Sequence, residues 1–227
     1  IMADLERIAP CALYVLLLGP SGTGKEVVAS ELHRLSGRSG PLTPVNCAAI
    51  PANLLESELF GFKRGAFSGA DRDKPGLIRV AHKGTLLLDE IGDMPLDAQA
   101  KLLRVIQSKE VLPLGATAPE RVDVRIVCAT HRDLGKLRRE GRFREDLFAR
   151  LDEYEVRLPP LNERKEDVYA LVRAFQLRQG RPEAVPSVPF MVARLHHDCP
   201  NNVRELEAAI KDALALAAGE RLDVELL

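Results

Sequence analysis

Short apolar runs alternate along this chain with longer amphipathic stretches, the pattern of a parallel sheet buried between helices. The strand candidates are "LYVLLLG" (13–19), "LTPVN" (42–46), "TLLLDE" (85–90), "VRIVCAT" (124–130) and "EYEVRL" (153–158). Helical periodicity falls near 24–36, 52–60, 95–108, 133–140 and 143–151. Residues 111–124, "VLPLGATAPERVDV", read instead as a hairpin with a Gly/Pro-bearing tip. Pro159 and Pro160 end the last strand, and beyond "PPLNERKED" no further strand signal is expected. Helical patterns run near 165–179, 187–197 and 202–217, with the proline-rich "GRPEAVPSVP" (180–189) joining the first two. The pattern predicts an α/β core over 1–160 and a small all-helical subdomain over 161–227. No internal repeat or low-complexity tract is visible.

Composition narrows the class. The 227 residues are 46% hydrophobic and 29% charged, enough for one sizeable α/β domain and a small satellite, and far from disorder. The formal charge is -1, from 32 basic and 33 acidic side chains, which argues against a dedicated DNA-binding domain but leaves room for a local basic stripe. No apolar run approaches the roughly 20 residues of a membrane helix, and the N-terminus lacks a signal-peptide pattern. A cytoplasmic domain without membrane contact is expected, one that starts at Ile1 as an excised domain would. Cys11, Cys47, Cys128 and Cys199 are far apart and form no C-x-x-C pair, so reduced buried thiols are expected rather than zinc or disulfides.

The strongest chemical signal is "GPSGTGKE". Its residues are Gly19, Pro20, Ser21, Gly22, Thr23, Gly24, Lys25 and Glu26, leaving a strand and entering a helix, the context a phosphate-binding loop requires. The glycines let the backbone turn its N–H groups inward, the helix adds its positive end, and Lys25 reaches the β- and γ-phosphates of ATP. Glu26 stands where a Ser or Thr hydroxyl normally touches Mg²⁺; its carboxylate either ligates the ion through water or points away. The second half is "TLLLDEIGDMP". Asp89 and Glu90 emerge at the C-terminal end of a leucine strand, where ligands of open α/β sheets bind. Asp89 is placed to organise Mg²⁺, partly through water, and Glu90 to orient and deprotonate an attacking water.

One feature of the remaining sequence is odd on these terms: "GFKRGAFSGA" (61–70) sets Phe67 among small residues between two elements that a short turn could join. Read alone, it is a flexible surface loop whose Phe67 folds back into the core.

Together the strings "GPSGTGKE", "VNCAAI", "ESELFG", "GAFSGA", "GTLLLDEIGDMP", "FREDLFARL", "LPPLNERKEDV" and "NNVREL", in this order from about residue 9 to the C-terminus, resemble the central AAA+ ATPase domain of bacterial enhancer-binding proteins, the sigma-54-dependent activators of the nitrogen-regulator type. The resemblance implies an AAA+ P-loop fold with a five-stranded parallel sheet and a helical lid, and makes Glu26 a match rather than a defect. It implies that Gly65, Ala66, Phe67, Ser68, Gly69 and Ala70 tip a loop that grips sigma-54 at the pore of a hexameric homo-oligomer, with Phe67 as the apolar anchor. The 111–124 hairpin becomes a second pore loop moving with the first.

The resemblance further implies that Arg144 and Arg150 are arginine fingers acting on the neighbouring subunit, that Arg204 senses nucleotide from the lid, and that Asn46 holds the catalytic glutamate. Thr130 and His131 fall at the first sensor. The partners implied are sigma-54 and the RNA polymerase holoenzyme, with enhancer DNA bound only through a C-terminal domain outside this chain. Departures are Ser68 for threonine, Cys199 and Asn201 for tryptophan and glycine, Asn162 for arginine, Lys83 for glycine, and His131 where asparagine is common. Rival readings are an AAA+ machine acting on another target, such as a helicase loader, and an ATP-binding scaffold with little turnover. From residues alone, Arg144 reads rather as a surface partner of Glu145 or Asp146.

Overall fold

The computed structural model describes residues 2–217, 221–223 and 225. These divide into two compact units: residues 1–18 with 25–157, and residues 19–24 with 158–227. The phosphate-loop residues 19–24 thus cluster with the helical part of the chain rather than with the core, unlike the expected division at 160/161.

In the first unit five strands form a parallel sheet: β1 (Val15–Leu18), β2 (Leu42–Asn46), β3 (Thr85–Asp89), β4 (Arg125–Thr130) and β5 (Tyr154–Arg157). Their order is β2-β3-β4-β1-β5. All five coincide with the predicted runs. The central strand β4 is buried at all six positions, and β3 at its first four, which is why both read as unbroken apolar runs rather than alternating ones. Helices α2 (Lys25–Leu35), α3 (Ala52–Phe60), α5 (Leu96–Ser108), α6 (Leu134–Arg139) and α7 (Glu145–Leu151) fall on predicted helical runs. Helix α5 follows Pro95 and buries one face with Ala98, Leu102, Leu103, Val105 and Ile106; it stops at Lys109, which adopts a left-handed φ of 56°. Asp133 caps α6 by accepting the Lys136 N–H at 2.9 Å.

Two short helices were not expected, α1 (Met2–Ile8) and α4 (Leu77–Val80). Helix α1 buries only Leu5 and Ile8, too few positions to show a period, and is held instead by a distant residue. Buried Arg125 donates to the carbonyls of Ile8 (3.1 Å), Ala9 (2.6 Å) and Leu13 (3.2 Å).

The expected hairpin closes with the antiparallel pair Glu110–Val111 and Glu120–Arg121. A second antiparallel pair, Gly61–Phe62 with Lys74–Pro75, forms the stem of the loop carrying Phe67. The two loops are joined: Leu114 donates its N–H to Gly61 O and accepts the Lys63 N–H, both at 2.9 Å.

The second unit contains α8 (Asp167–Arg178), α9 (Val188–His196) and α10 (Asn202–Leu216) around Val172, Phe175, Phe190, Leu206 and Ile210. The expectation of no strand here is corrected. Val185–Pro186 pairs in parallel with Arg221–Leu222, a two-residue contact too short to leave a sequence period. Cys47, Cys128 and Cys199 are buried free thiols as expected, but Cys11 is exposed, because it follows the end of α1 rather than entering a strand.

Candidate nucleotide site

Asn46, Asp89 and Thr130 end three adjacent strands, with Asn46 opposite Asp89 and Asp89 opposite Ala129. Parallel pairing therefore gathers the polar residues that follow β3 and β4 at one edge of the sheet. Glu90 leaves β3 in a left-handed conformation (φ 52°, ψ 48°), a costly backbone for a non-glycine residue and a frequent mark of functional positions. Its Oε2 lies 2.8 Å from His131 Nδ1 and accepts the Thr130 hydroxyl at 3.3 Å and the His131 N–H at 3.4 Å. The carboxylate is thus held by both predicted sensor residues.

Burial pushes the Asp89 carboxyl above the usual range, helped by the Glu90 and Glu26 charges; Lys25 and a backbone N–H oppose the rise. Lys25 is itself buried at the start of α2, while Glu26 is exposed. Asn46 does not reach Glu90. Its Oδ1 accepts the N–H groups of Ala48 (2.9 Å) and Ala49 (3.1 Å), and its Nδ2 lies 3.4 Å from Asp89 Oδ2.

Arg144 is exposed and forked onto Asp146 at 3.0 and 2.7 Å, which raises its own pKa and lowers that of Asp146. Arg150 is exposed in the last turn of α7. Phe67 is neither buried nor free: 45% exposed, its ring meets Phe62 edge-on at 4.9 Å. Gly65 and Gly69 take left-handed φ values of 82° and 95° on either side of it, and Gly65 donates to Ala70 O at 2.8 Å, so the tip is a closed turn. Ala66 faces Gly115 of the neighbouring loop, Ser68 is exposed, and Ala70 is buried.

In the second unit, Ser21, Gly22 and Thr23 lie against the start of α10. Arg204 donates to the Ser21 hydroxyl at 3.1 Å, and a side chain at Gly22 would collide with Asn201 O at 2.2 Å. Thr23 is buried, its hydroxyl donating to Pro20 O at 2.9 Å. Gly19 is equally confined: a Cβ there would meet Leu158 O at 2.6 Å.

Three residues escaped the sequence reading. Gln99, wholly buried on α5, donates to Met94 O (2.7 Å) and Arg142 O (3.0 Å) and accepts the Arg144 N–H (2.9 Å), so one amide links the turn after Glu90 to the segment presenting Arg144. A polar residue on the apolar face of α5 was the available signal. Arg164 and Asn202, which hold residues 21–23, gave no local sign.

A glycine-rich loop between a first strand and a helix, with an acidic pair ending an adjacent-but-one strand of a five-stranded parallel sheet, defines a P-loop nucleotide-binding domain of the AAA+ class. Residues 1–157 match the family described as "Sigma-54 interaction domain", and the chain belongs to that family. It is 49% identical over 232 residues to the putative uric acid sigma-54-dependent transcriptional regulator UacR of Escherichia coli K12, covering 98% of this chain and 39% of that protein. It is 48% identical to the DNA-binding transcriptional regulator NtrC of Azospirillum brasilense, over 98% of this chain and 47% of the relative. The chain therefore spans less than half the length of these two relatives. Among solved structures, NtrX from Brucella abortus in complex with ATP superposes with a TM-score of 0.89 at 36% identity, over 100% of this chain and 51% of that one.

Proposed function

We propose that this domain hydrolyses ATP to ADP and phosphate and uses the cycle to move the loop 61–70 against sigma-54 in closed RNA polymerase–promoter complexes, allowing promoter opening. The observation that carries the reading is the carboxylate of Glu90, held by Thr130 and His131 directly after Asp89 at the end of a buried strand. ATP is the fitting ligand for the run Gly19–Lys25, in which Gly19 and Gly22 stand where a side chain would collide and Gly24 takes a left-handed φ of 98°. Asp89 would hold Mg²⁺, which shields charge on the phosphates; one carboxylate with water and phosphate oxygens is the usual way proteins bind this ion. The relative solved with ATP supports the same choice of nucleotide.

Glu90 takes the proton of the attacking water. Thr130 and His131 hold its carboxylate until nucleotide is bound. Arg144 acts on the phosphates of a neighbouring copy in a homo-hexameric ring. Leaving Asp146 costs it little, since solvent screens an exposed ion pair. Arg150 is the second finger. Phe67 is the contact for sigma-54, and the 111–124 hairpin, joined to the stem of its loop through Leu114, moves with it.

The test is specific ATPase activity against protein concentration, for the native chain and for Glu90→Gln. Fingers supplied by a neighbour require turnover per subunit to rise with concentration and to collapse in Glu90→Gln. Flat, negligible turnover would favour an ATP-binding scaffold. Sigma-54 capture in a transition-state nucleotide mimic, lost in Phe67→Ala, separates this target from any other.

A further inference from the structure

Three consecutive carbonyls of the phosphate loop are each occupied by a donor from the helical unit. Ser21 O accepts Asn202 Nδ2 at 2.9 Å, Gly22 O accepts the Val203 N–H at 3.0 Å, and Thr23 O accepts Arg164 Nη2 at 2.8 Å. One side-chain amide, one backbone amide and one guanidinium thus serve three neighbouring peptide groups. In a trans peptide the carbonyl of one residue points opposite to the N–H of the next. Fixing the carbonyls of Ser21, Gly22 and Thr23 therefore aims the N–H groups of Gly22, Thr23 and Gly24 the other way. Those are donors that a phosphate-binding loop uses.

The donors are themselves fixed. Asn202 is buried and left-handed (φ 56°), and its Oδ1 accepts the Leu161 N–H at 2.8 Å, so its amide can present only its nitrogen to Ser21. Arg164 Nη1 lies 3.7 Å from Asp167, yet its Nε is buried without a hydrogen-bond partner, a cost that packing alone does not explain. Gly22, the one glycine among residues 21–23, sits hard against Asn201 O, so it has no room to relax sideways.

We infer that Arg164 and Asn202 are positioning residues for triphosphate binding: they touch no phosphate but hold the peptide planes of residues 21–23 so that the loop N–H groups converge before the ligand arrives. Preorganised donors bind better than donors that must be ordered on binding. The inference rests on the reading of this loop as the triphosphate cradle. It deepens that reading by making phosphate affinity depend on side chains of the helical unit.

The test is calorimetric titration of the whole chain with magnesium tripolyphosphate and, separately, with magnesium ATP. The variants are Arg164→Met, Arg164→Lys and Asn202→Gly, the last chosen because glycine accepts the left-handed backbone. Arg164→Met is expected to weaken both ligands by about tenfold and Asn202→Gly by about fivefold, in line with the net worth of one charged or neutral hydrogen bond. The ratio of ATP to tripolyphosphate affinity should stay constant, and Arg164→Lys, which keeps one donor, should recover part of the loss. Melting midpoints measured alongside identify a variant that fails to fold, and Arg164→Lys then carries the comparison. Unchanged tripolyphosphate binding in folded Arg164→Met and Asn202→Gly would overturn the inference. Loss confined to ATP would overturn it too, by placing the effect at the base or ribose. Failure of the native chain to bind either ligand would instead defeat the underlying assignment of the loop.

Discussion

Replacing Gln99 with methionine keeps the length of the side chain and removes all its hydrogen bonding. The native amide uses both N–H groups and its oxygen, on Met94 O, Arg142 O and Arg144 N, at distances between 2.7 and 3.0 Å. At a net value of about 1 kcal/mol per hydrogen bond, the loss is about 3 kcal/mol. Met94 is 2% exposed, so its carbonyl is left without solvent and keeps a desolvation penalty, whereas Arg142 and Arg144 are exposed and their backbone can reach water. The expected destabilisation is therefore about 3–4 kcal/mol, at the large end for a single substitution. Urea unfolding followed by circular dichroism measures it, with a lowered midpoint and an unchanged slope as the signature. The same amide positions the segment that presents Arg144, so ATP turnover should fall at least tenfold, beyond what the folded fraction explains. A Gln99→Met protein whose stability lies within about 0.5 kcal/mol of the native value would refute the assignment of this residue as a strut.

Arg125→Met removes a guanidinium that satisfies the carbonyls of Ile8 at the end of α1 and of Ala9 and Leu13 after it, and should cost about 3–5 kcal/mol while exposing residues 2–10 to early cleavage in limited proteolysis. Burial, aided by Asp89, Asp93 and Glu90, pushes the Cys47 thiol up to about 12, and burial raises Cys128 and Cys199 as well, so at pH 8 iodoacetamide should modify only Cys11 in the folded chain and all four thiols in urea. Mass spectrometry counts the adducts, and rapid labelling of two sites in the native state would contradict the burial. Because the folded thiol of Cys47 binds its proton more tightly than the unfolded one, its contribution is complete below about pH 8.5 and falls as pH rises from there toward about 12. Urea midpoints at pH 8 and pH 10 should therefore differ less in Cys47→Ala than in the native chain.

The elements of this protein were legible in its sequence because each is set by local periodicity. The five sheet strands, the helices from α2 onward except α4, and the phosphate loop all follow from apolar spacing and from glycines at fixed intervals. The acidic pair was legible for the same reason, since it directly follows a buried leucine strand. What failed was short or non-local. Helix α1 rests on an arginine more than a hundred residues away, and the pair of Val185–Pro186 with Arg221–Leu222 is two residues long.

The finer arrangement of the site came only with the fold. Sheet register, not sequence, put Asn46 beside Asp89 and brought His131 to Glu90. Asn202 reaches Ser21 across 181 residues of chain, and Gln99 meets Arg144 across 45. Sequence by itself determined which chemistry is present: a phosphate loop, an acidic pair, candidate arginines and a small-residue loop with one aromatic tip. Tertiary structure decided which of these groups hold one another, because hydrogen bonds require atoms within about 3 Å and that proximity is created by how the elements pack.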